Sequence, residues 1–384
     1  MNLVPGNRIS LLKNGAEFFP ALETDIDAAV ADICVETYIF VEDVSGLRIA
    51  NALMRAAGRG VNVRVMIDGF GSRTTPPEFF DRMRNAGVVV YIYLPVRTVF
   101  DFRRHRVRRL HRKIVLIDGK TAYVGGINII DDFNKNLSAD MPRYDYAARL
   151  EGPILADIYP SVQHLWQTMQ WFHLKRKVRR ILPPAVSPLP VGPSALVFIA
   201  RDNFRSRRSI ERAYIEAIDG AKNEVLIVSS YFFPGRKLRN VLVNASRRGV
   251  LVTVLLQGAA DHPILQMATR ALYDKFLGAG IAIYEYQPAM LHGKVAVIDG
   301  RWATVGSSNL DPFSLLVNRE ANVVAIDTEF AESLRASVMA EIKANAIQLN
   351  FARWQQRGPW SRLKSWVALK FARLVTAIIG VKYD

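Results

Sequence analysis

The sequence predicts an α/β protein of two related halves, each a mainly parallel, mixed sheet flanked by helices, and three observations carry that expectation. A run of unusual residues is written twice: residues 110–128 read LHRKIVLIDGKTAYVGGIN and residues 291–309 read LHGKVAVIDGRWATVGSSN. Upstream of each copy, apolar β-branched runs alternate with stretches of helical spacing, as β-α-β units require. Between the copies, residues 181–193 hold five prolines in thirteen positions, a composition that breaks helices and strands and acts as a stiff spacer. The chain therefore divides into a first half at 1–180, a linker at 181–194, a second half at 195–345 and a tail at 346–384.

Composition narrows the class. At 384 residues the chain is long enough for two cores, and 50% hydrophobic against 22% charged residues marks a folded protein rather than a disordered one. Lys+Arg 51 against Asp+Glu 35 gives +16, which favours a polyanionic partner, either nucleic acid or an anionic membrane surface. Cys34 is the one cysteine, which excludes an intramolecular disulfide and a cysteine-based zinc site. Residues 1–15 contain no apolar run long enough for a signal peptide, so the chain is expected on the cytoplasmic side.

Taken in order, the first half opens with a strand at 9–12 and a helix at 20–31, with Pro20 suited to its first turn. A strand at 33–41, a helix at 47–57 and a strand at 61–67 make a β-α-β unit, hence a parallel pair. GRGVNVRVMIDG at 58–69 has its counterpart in SRRGVLVTVLLQG at 246–258. The first copy carries extra residues between 70 and 110, ending in the basic run 103–109, which we read as a cationic rim that collects phospholipid head groups. The second half restarts with a strand at 196–200, a helix at 209–221 and a strand at 225–229.

In each repeated run the residues after the histidine, 114–117 and 295–298, are aliphatic and read as a buried strand. His111 and Lys113 then share a face, as do His292 and Lys294, each equivalent pair 181 apart (292 − 111 = 181). Asp118 and Asp299 precede glycine, and on the residues alone each suits a tight turn better than a catalytic carboxylate. After the turn, Asn128, Asn309 and Ser307 stand among small residues that let a ligand approach the backbone closely. Two lysines, two amides and accessible N–H groups suit a phosphate oxyanion. Two histidines add a nucleophile and a general acid, with no metal or other cofactor required. Downstream of each copy an alternating strand carries one acid, Asp145 and Glu320, at separations of 34 (145 − 111) and 28 (320 − 292); an acid beside each histidine would fix its tautomer and stabilise the imidazolium.

The pattern HxK(x)4D(x)6G(G/S)xN, present twice, resembles the phospholipase D superfamily, and YFFPG at 231–235, WATVGSSNLDP at 302–312 and NREAN at 318–322 resemble its bacterial cardiolipin synthase (B-like) branch. The resemblance covers residues 6–327. It implies two α/β halves about a pseudo-twofold axis with one active site between them, and a catalytic set of His111, Lys113, Asp118, His292, Lys294 and Asp299. In that family one histidine, here His111 by the usual order, becomes phosphohistidine and the other, His292, protonates the leaving alcohol. Lys113, Lys294, Asn128, Asn309 and Ser307 would hold phosphate, and Asp145 and Glu320 would orient the histidines.

The tail adds a membrane signal. Along residues 360–381, Leu363, Trp366, Val367, Phe371, Leu374, Val375 and Ile378 recur at helical spacing while Lys364, Lys370 and Arg373 interrupt any full span. We read a helix in the interface of an anionic bilayer, with Trp354, Trp360 and Trp366 as anchors; a helix docked on the protein's own core is the competing reading. Three functions compete: phosphatidyl transfer to a phosphatidylglycerol hydroxyl, making cardiolipin at the cytoplasmic face of the inner membrane; hydrolysis through the same intermediate, as a phospholipase or nuclease; and a catalytically silent binder. The paired motifs disfavour the third, the tail disfavours nucleic acid as partner, and the resemblance favours the first.

Overall fold

The structure, a computed structural model, describes residues 2–95, 108–133, 142–172, 184–201, 208–258 and 263–378. In the first half, β1 (Val4–Lys13), α1 (Asn14–Asp27), β2 (Asp32–Thr37), α2 (Val44–Gly58), β3 (Asn62–Asp68), α3 (Pro77–Asn85) and β4 (Val89–Tyr93) lead to the first repeated run. That run forms β5 (Lys113–Ile117) and β6 (Thr121–Gly125), and β7 (Tyr146–Glu151) and α4 (Leu155–Phe172) complete the half. The second half follows the same plan with β8 (Ser194–Arg201), α5 (Ser209–Asp219), β9 (Glu224–Ser229), α6 (Arg236–Arg247), β10 (Leu251–Gln257), α7 (Pro263–Arg270), α8 (Tyr273–Leu277) and β11 (Ala282–Tyr286). Its repeated run forms β12 (Lys294–Ile298) and β13 (Trp302–Gly306), then α9 (Pro312–Leu316), β14 (Glu320–Ile326) and α10 (Thr328–Asn345). The tail holds β15 (Ala346–Gln348), α11 (Phe351–Gln355) and α12 (Pro359–Ile378).

The strands join in one sheet, ordered β15-β11-β10-β9-β12-β13-β14-β8-β1-β7-β6-β5-β2-β3-β4. Outward from the β8–β1 junction the two arms have matching orders, so the duplicated sequence becomes a twofold relation between halves. Between strands, parallel pairing is found in β2-β3-β4 and β9-β10-β11 and the other described strand pairs are antiparallel, with further parallel contacts only as isolated bridges, so the expectation of mainly parallel halves is corrected. The physical reason is that helical crossovers, which parallel neighbours need, serve only those three strands per half. The Asp-Gly hairpins and the strands that follow them return antiparallel.

Three apolar clusters hold the layers together by removing side chains from water. One lies under α1, α2 and α3 and includes Phe19, Leu53 and Phe79; its counterpart lies under α5 to α8 and includes Ile218, Leu242 and Phe276. The central cluster draws Leu110, Tyr144 and Trp166 from the first half and Leu291, Val295 and Leu334 from the second, so the halves share a core along the seam where the repeated runs meet.

Some boundaries differ from expectation. α1 begins at Asn14, where Glu17 accepts a hydrogen bond from the Lys13 N–H at 2.8 Å, so Pro20 sits inside the helix rather than opening it. Residues 184–193 carry no helix or strand, and residues 173–183 lie outside the described residues. β15 pairs antiparallel with β11, so the first residues assigned to the tail belong to the second half's sheet.

Candidate active site

Each histidine is fixed by its backbone before its side chain acts. In the first half the Asp68 carboxylate, at the end of β3, accepts the Leu110 N–H at 2.9 Å; in the second the Gln257 amide oxygen, at the end of β10, accepts the Leu291 N–H at 2.5 Å. The next contacts cross the seam. The His111 N–H donates to the Arg319 carbonyl at 3.0 Å and the Arg319 N–H to the Arg109 carbonyl at 2.8 Å, while the N–H groups of His292 and Gly293 donate to the Tyr144 carbonyl at 2.8 and 2.9 Å. Glu320 follows Arg319 and Asp145 follows Tyr144, so each acid arrives beside the histidine of the opposite half.

The side chains close that exchange. His111 Nδ1 lies 3.1 Å from Glu320 Oε2 and His292 Nδ1 lies 2.5 Å from Asp145 Oδ2. Sequence separation groups each acid with the motif of its own half, and the structure exchanges the partners. With Nδ1 engaged, Nε2 of each ring is left for chemistry. The Tyr38 ring meets His111 edge-on at 4.9 Å. Lys113 Nζ donates to the His111 carbonyl at 2.5 Å and Lys294 Nζ donates to the His292 carbonyl, so both ammonium groups turn back toward the histidines. Asn128 accepts the Ile39 N–H through Oδ1 at 3.1 Å, while its Nδ2 is buried with no partner among the described residues, and so is Asn309 Oδ1. The Asn128 donor is therefore left for an anion, whereas the unpartnered atom of Asn309 is an acceptor and suits a donor instead.

Three members of the sequence-derived set do other work. Asp118 accepts the N–H groups of Val30, Ala31 and Asp32, each at 2.8 Å, and Asp299 accepts those of Lys222, Asn223 and Glu224 at 2.9, 2.8 and 2.9 Å. Both sit at φ 51°, at the end of β5 or β12 remote from its histidine, so their catalytic assignment is corrected to the turn reading: each ties a hairpin to the loop before β2 or β9. Alanine at Asp118 should lower stability by on the order of 3 kcal/mol, from three orphaned amides, with activity per folded molecule retained; thermal unfolding with active-site titration checks this. Ser307, assigned to phosphate, donates its hydroxyl to Glu320 Oε2 at 2.5 Å, so its one proton steadies that acid instead. In the first half the equivalent position is Gly126, where a Cβ would lie 2.2 Å from Asp145 Oδ1; Asp145 occupies the space a serine would need.

A family model described as "Cardiolipin synthase, PLD-like domain" matches residues 22–140 and 214–340, one match per half. The chain belongs to this family. Cardiolipin synthase B of Escherichia coli (strain K12) is 38% identical over 379 residues, spanning 98% of this chain and 90% of the relative. Probable cardiolipin synthase YwiE of Bacillus subtilis (strain 168) is 31% identical over 379 residues, spanning 99% of this chain and 74% of the relative. In fold alone, the phosphatidylserine synthase of Haemophilus influenzae Rd KW20 superposes with a TM-score of 0.68 at 13% identity, covering 98% of this chain and 95% of that one.

Within this PLD-like site the electrostatics favour an incoming anion. Burial lowers the His111 pKa, with Glu320 opposing; burial and then Lys294, Lys113 and Arg143 hold His292 well below its ordinary value. Burial raises Asp145 to about 7 against the pull of Lys294. Glu320 is also buried, yet His111, Lys113 and Ser307 together keep its carboxyl below the usual range. Burial depresses Lys113 to about 7 and Lys294 to about 8. A bound phosphodiester would supply the missing negative charge and raise all four cationic groups. Below these values the lysines are charged and able to hold an anion, and above them they are neutral. The kcat/KM for a phosphodiester should therefore fall as pH rises through about 7 to 8, and a plateau extending to about pH 10, the ordinary lysine range, would contradict it.

Asp68 and Gln257 belong to no motif, and their only signal in the sequence is that they stand 189 apart (257 − 68 = 189), immediately before the equivalent landmarks Gly69 and Gly258. Arg143 likewise is signalled only by its place two positions before Asp145 on an extended stretch, which puts the two on one face. His105, His173 and His262 lie outside the described residues, and His164 is on the exposed side of α4.

Proposed function

We propose that the protein is a cardiolipin synthase: a phosphatidyltransferase that moves a phosphatidyl group from one phosphatidylglycerol to the hydroxyl of another, releasing glycerol. The observation that carries the choice of transferase is the 38% identity to cardiolipin synthase B of Escherichia coli over 98% of this chain, and the exchange of acids across the seam supports one anion site served by two oriented imidazoles. His111 Nε2 attacks phosphorus, the bond to the head-group oxygen breaks, and that oxygen takes a proton from His292. The acceptor hydroxyl then returns a proton to His292 as its oxygen displaces His111, so atoms and charge balance over the cycle. Glu320, held ionised, supports His111 as the group that becomes charged on phosphorylation. Lys113, Lys294 and the Asn128 Nδ2 hold the non-bridging oxygens as charge develops on them, and Asn309 joins them only through its Nδ2.

The test is incubation of purified protein with phosphatidylglycerol vesicles and mass analysis of products. Cardiolipin with equimolar glycerol supports synthase chemistry; phosphatidic acid alone supports the hydrolase instead.

A lipid substrate requires access to a bilayer, and α12 offers it. Among the described residues no helix is long and apolar enough to cross a membrane. α12 docks through Ser365, Ala368 and the partly buried Leu369, and turns three large rings outward: Trp360 is 74%, Trp366 54% and Phe371 50% exposed. A helix docked to complete the core would do the reverse. We read this face as the bilayer contact of a peripheral protein whose +16 charge suits an anionic cytoplasmic leaflet. Trp354 is no anchor: its ring packs on Tyr273 at 5.0 Å and under the Arg357 guanidinium at 3.3 Å. Residues 96–107, and with them most of the expected cationic rim, lie outside the described residues, but Arg109 at its end joins Arg73 over the exposed Phe70 ring, at 4.9 and 4.2 Å. Serine at both Trp366 and Phe371 should weaken vesicle binding at least tenfold, since each exposed ring contributes about 1.5–3 kcal/mol when buried, with the melting temperature preserved. Full vesicle binding by that variant would count against this surface.

A further inference from the structure

Arg143 is a buried cation that the site has not accounted for. It is 6% exposed, and its Nε is buried with no partner among the described residues. No described carboxylate lies within ion-pair distance of it; Asp145, Asp132 and Asp43 are near enough to favour its charge, and burial, the largest influence, lowers its pKa. A buried guanidinium without a paired anion is costly, and its planar fork of donors matches a phosphate. Its position is set by backbone: the Arg143 N–H donates to the Asp132 carbonyl at 3.1 Å, and the next residue, Tyr144, is the one that pairs with Met290 and His292 across the seam. Two residues on, Asp145 holds His292. The charge of Arg143 acts on both His292 and Lys294. The equivalent position in the second half is Asn318, since 145 pairs with 320 in the repeat (320 − 145 = 318 − 143), so this cation exists on the His292 side alone.

We propose that Arg143 binds the non-reacting phosphate of the acceptor lipid and thereby selects a phospholipid alcohol over water. This rests on the synthase reading and on His111 as nucleophile. In a double displacement the leaving alcohol and the incoming alcohol occupy the same side of phosphorus, the side served by His292. Glycerol leaves from there and carries no phosphate. The acceptor hydroxyl that replaces it belongs to a glycerol whose far carbon bears a phosphodiester, so a phosphate-sized anion must be held a few bonds beyond His292. Water and simple alcohols make no such contact. Arg143 is therefore a specificity-determining residue for the second step, whereas Lys113 and Lys294 serve the reacting phosphate in both steps.

The experiment sets two acceptors against each other. Full-length protein is incubated with phosphatidylglycerol vesicles in dilute ethanol, and phosphatidylethanol, phosphatidic acid and cardiolipin are quantified by mass for wild type, Arg143→Asn and Arg143→Lys. Ethanol lacks a phosphate, so Arg143→Asn should raise the ratio of phosphatidylethanol plus phosphatidic acid to cardiolipin at least tenfold. Arg143→Lys, which keeps the charge but loses the fork, should fall between, and it supplies the same ratio should the asparagine variant fail to fold. All products falling together at constant ratio in both variants would overturn the proposal and leave Arg143 a structural or donor-phosphate residue. Failure of the synthase reading is seen separately, as wild-type protein that makes no cardiolipin in the absence of ethanol.

Discussion

Asparagine in place of His111 or His292 is expected to lower phosphatidyl transfer by about 10⁴-fold, because each removes a group that, in the proposed mechanism, bonds to or exchanges a proton with the reacting centre. Asparagine is close to histidine in size and can keep a hydrogen bond to Glu320 or Asp145, so the melting temperature should move little. The double variant should be scarcely worse than either single one, since groups acting as a unit lose their contribution together. The two variants should differ in one respect. Without His292, His111 can still be phosphorylated, most readily by a donor with an acidic leaving group such as a nitrophenyl phosphodiester. Without His111, no donor restores activity. Equal rescue of both by an activated donor would remove the role assignment while leaving the shared site intact.

The second large effect concerns the exchanged acids. Glu320→Gln and Asp145→Asn should each reduce turnover by roughly 10²- to 10⁴-fold, the range expected when an orienting carboxylate behind an imidazole is made neutral. The coupling pattern carries the structural content. His111 lies 3.1 Å from Glu320 and His292 lies 2.5 Å from Asp145. Glu320→Gln added to His111→Asn should therefore cost almost nothing further, and the same holds for Asp145→Asn with His292→Asn. A double-mutant cycle showing Asp145 coupled to His111 instead would mean that acids serve the histidines of their own half.

How far the sequence could be read depended on what each interaction is made of. The duplication was visible because His, Lys, Asp, Gly and Asn identities recur at a fixed interval, and packing alone gives no reason to repeat polar identities. The two hairpins were visible because Asp-Gly tolerates the left-handed backbone that Asp118 and Asp299 adopt. The direction of the neighbour on the other side, β2 or β9, was not: KIVLI and KVAVI, buried throughout, look the same beside a parallel or an antiparallel strand. The partner of each acid was not either, since Tyr144 and Arg319 place Asp145 and Glu320 through backbone hydrogen bonds across the seam, which leave no residue signature. Ser307 illustrates a different limit. A small hydroxyl beside glycines suits a phosphate or a carboxylate equally, and only the position of Glu320 decides between them. In the tail the apolar stripe was legible from spacing, but which side of α12 docks was not, and Trp354 was lost to Tyr273 because a tryptophan's partner is a matter of tertiary packing.

The central claim is that two histidines from opposite halves serve one phosphorus atom, with only one of them bonded to it. Its most direct test is chemical trapping: the His292→Asn protein is mixed with phosphatidylglycerol or an activated phosphodiester analogue, quenched under conditions that preserve phosphoramidate bonds, digested and sequenced by mass. The account predicts one phosphatidyl adduct per chain, on the peptide that contains His111, and none when His111 is also replaced. Adducts forming independently on the peptides of both histidines in wild-type protein, two per chain, would contradict it.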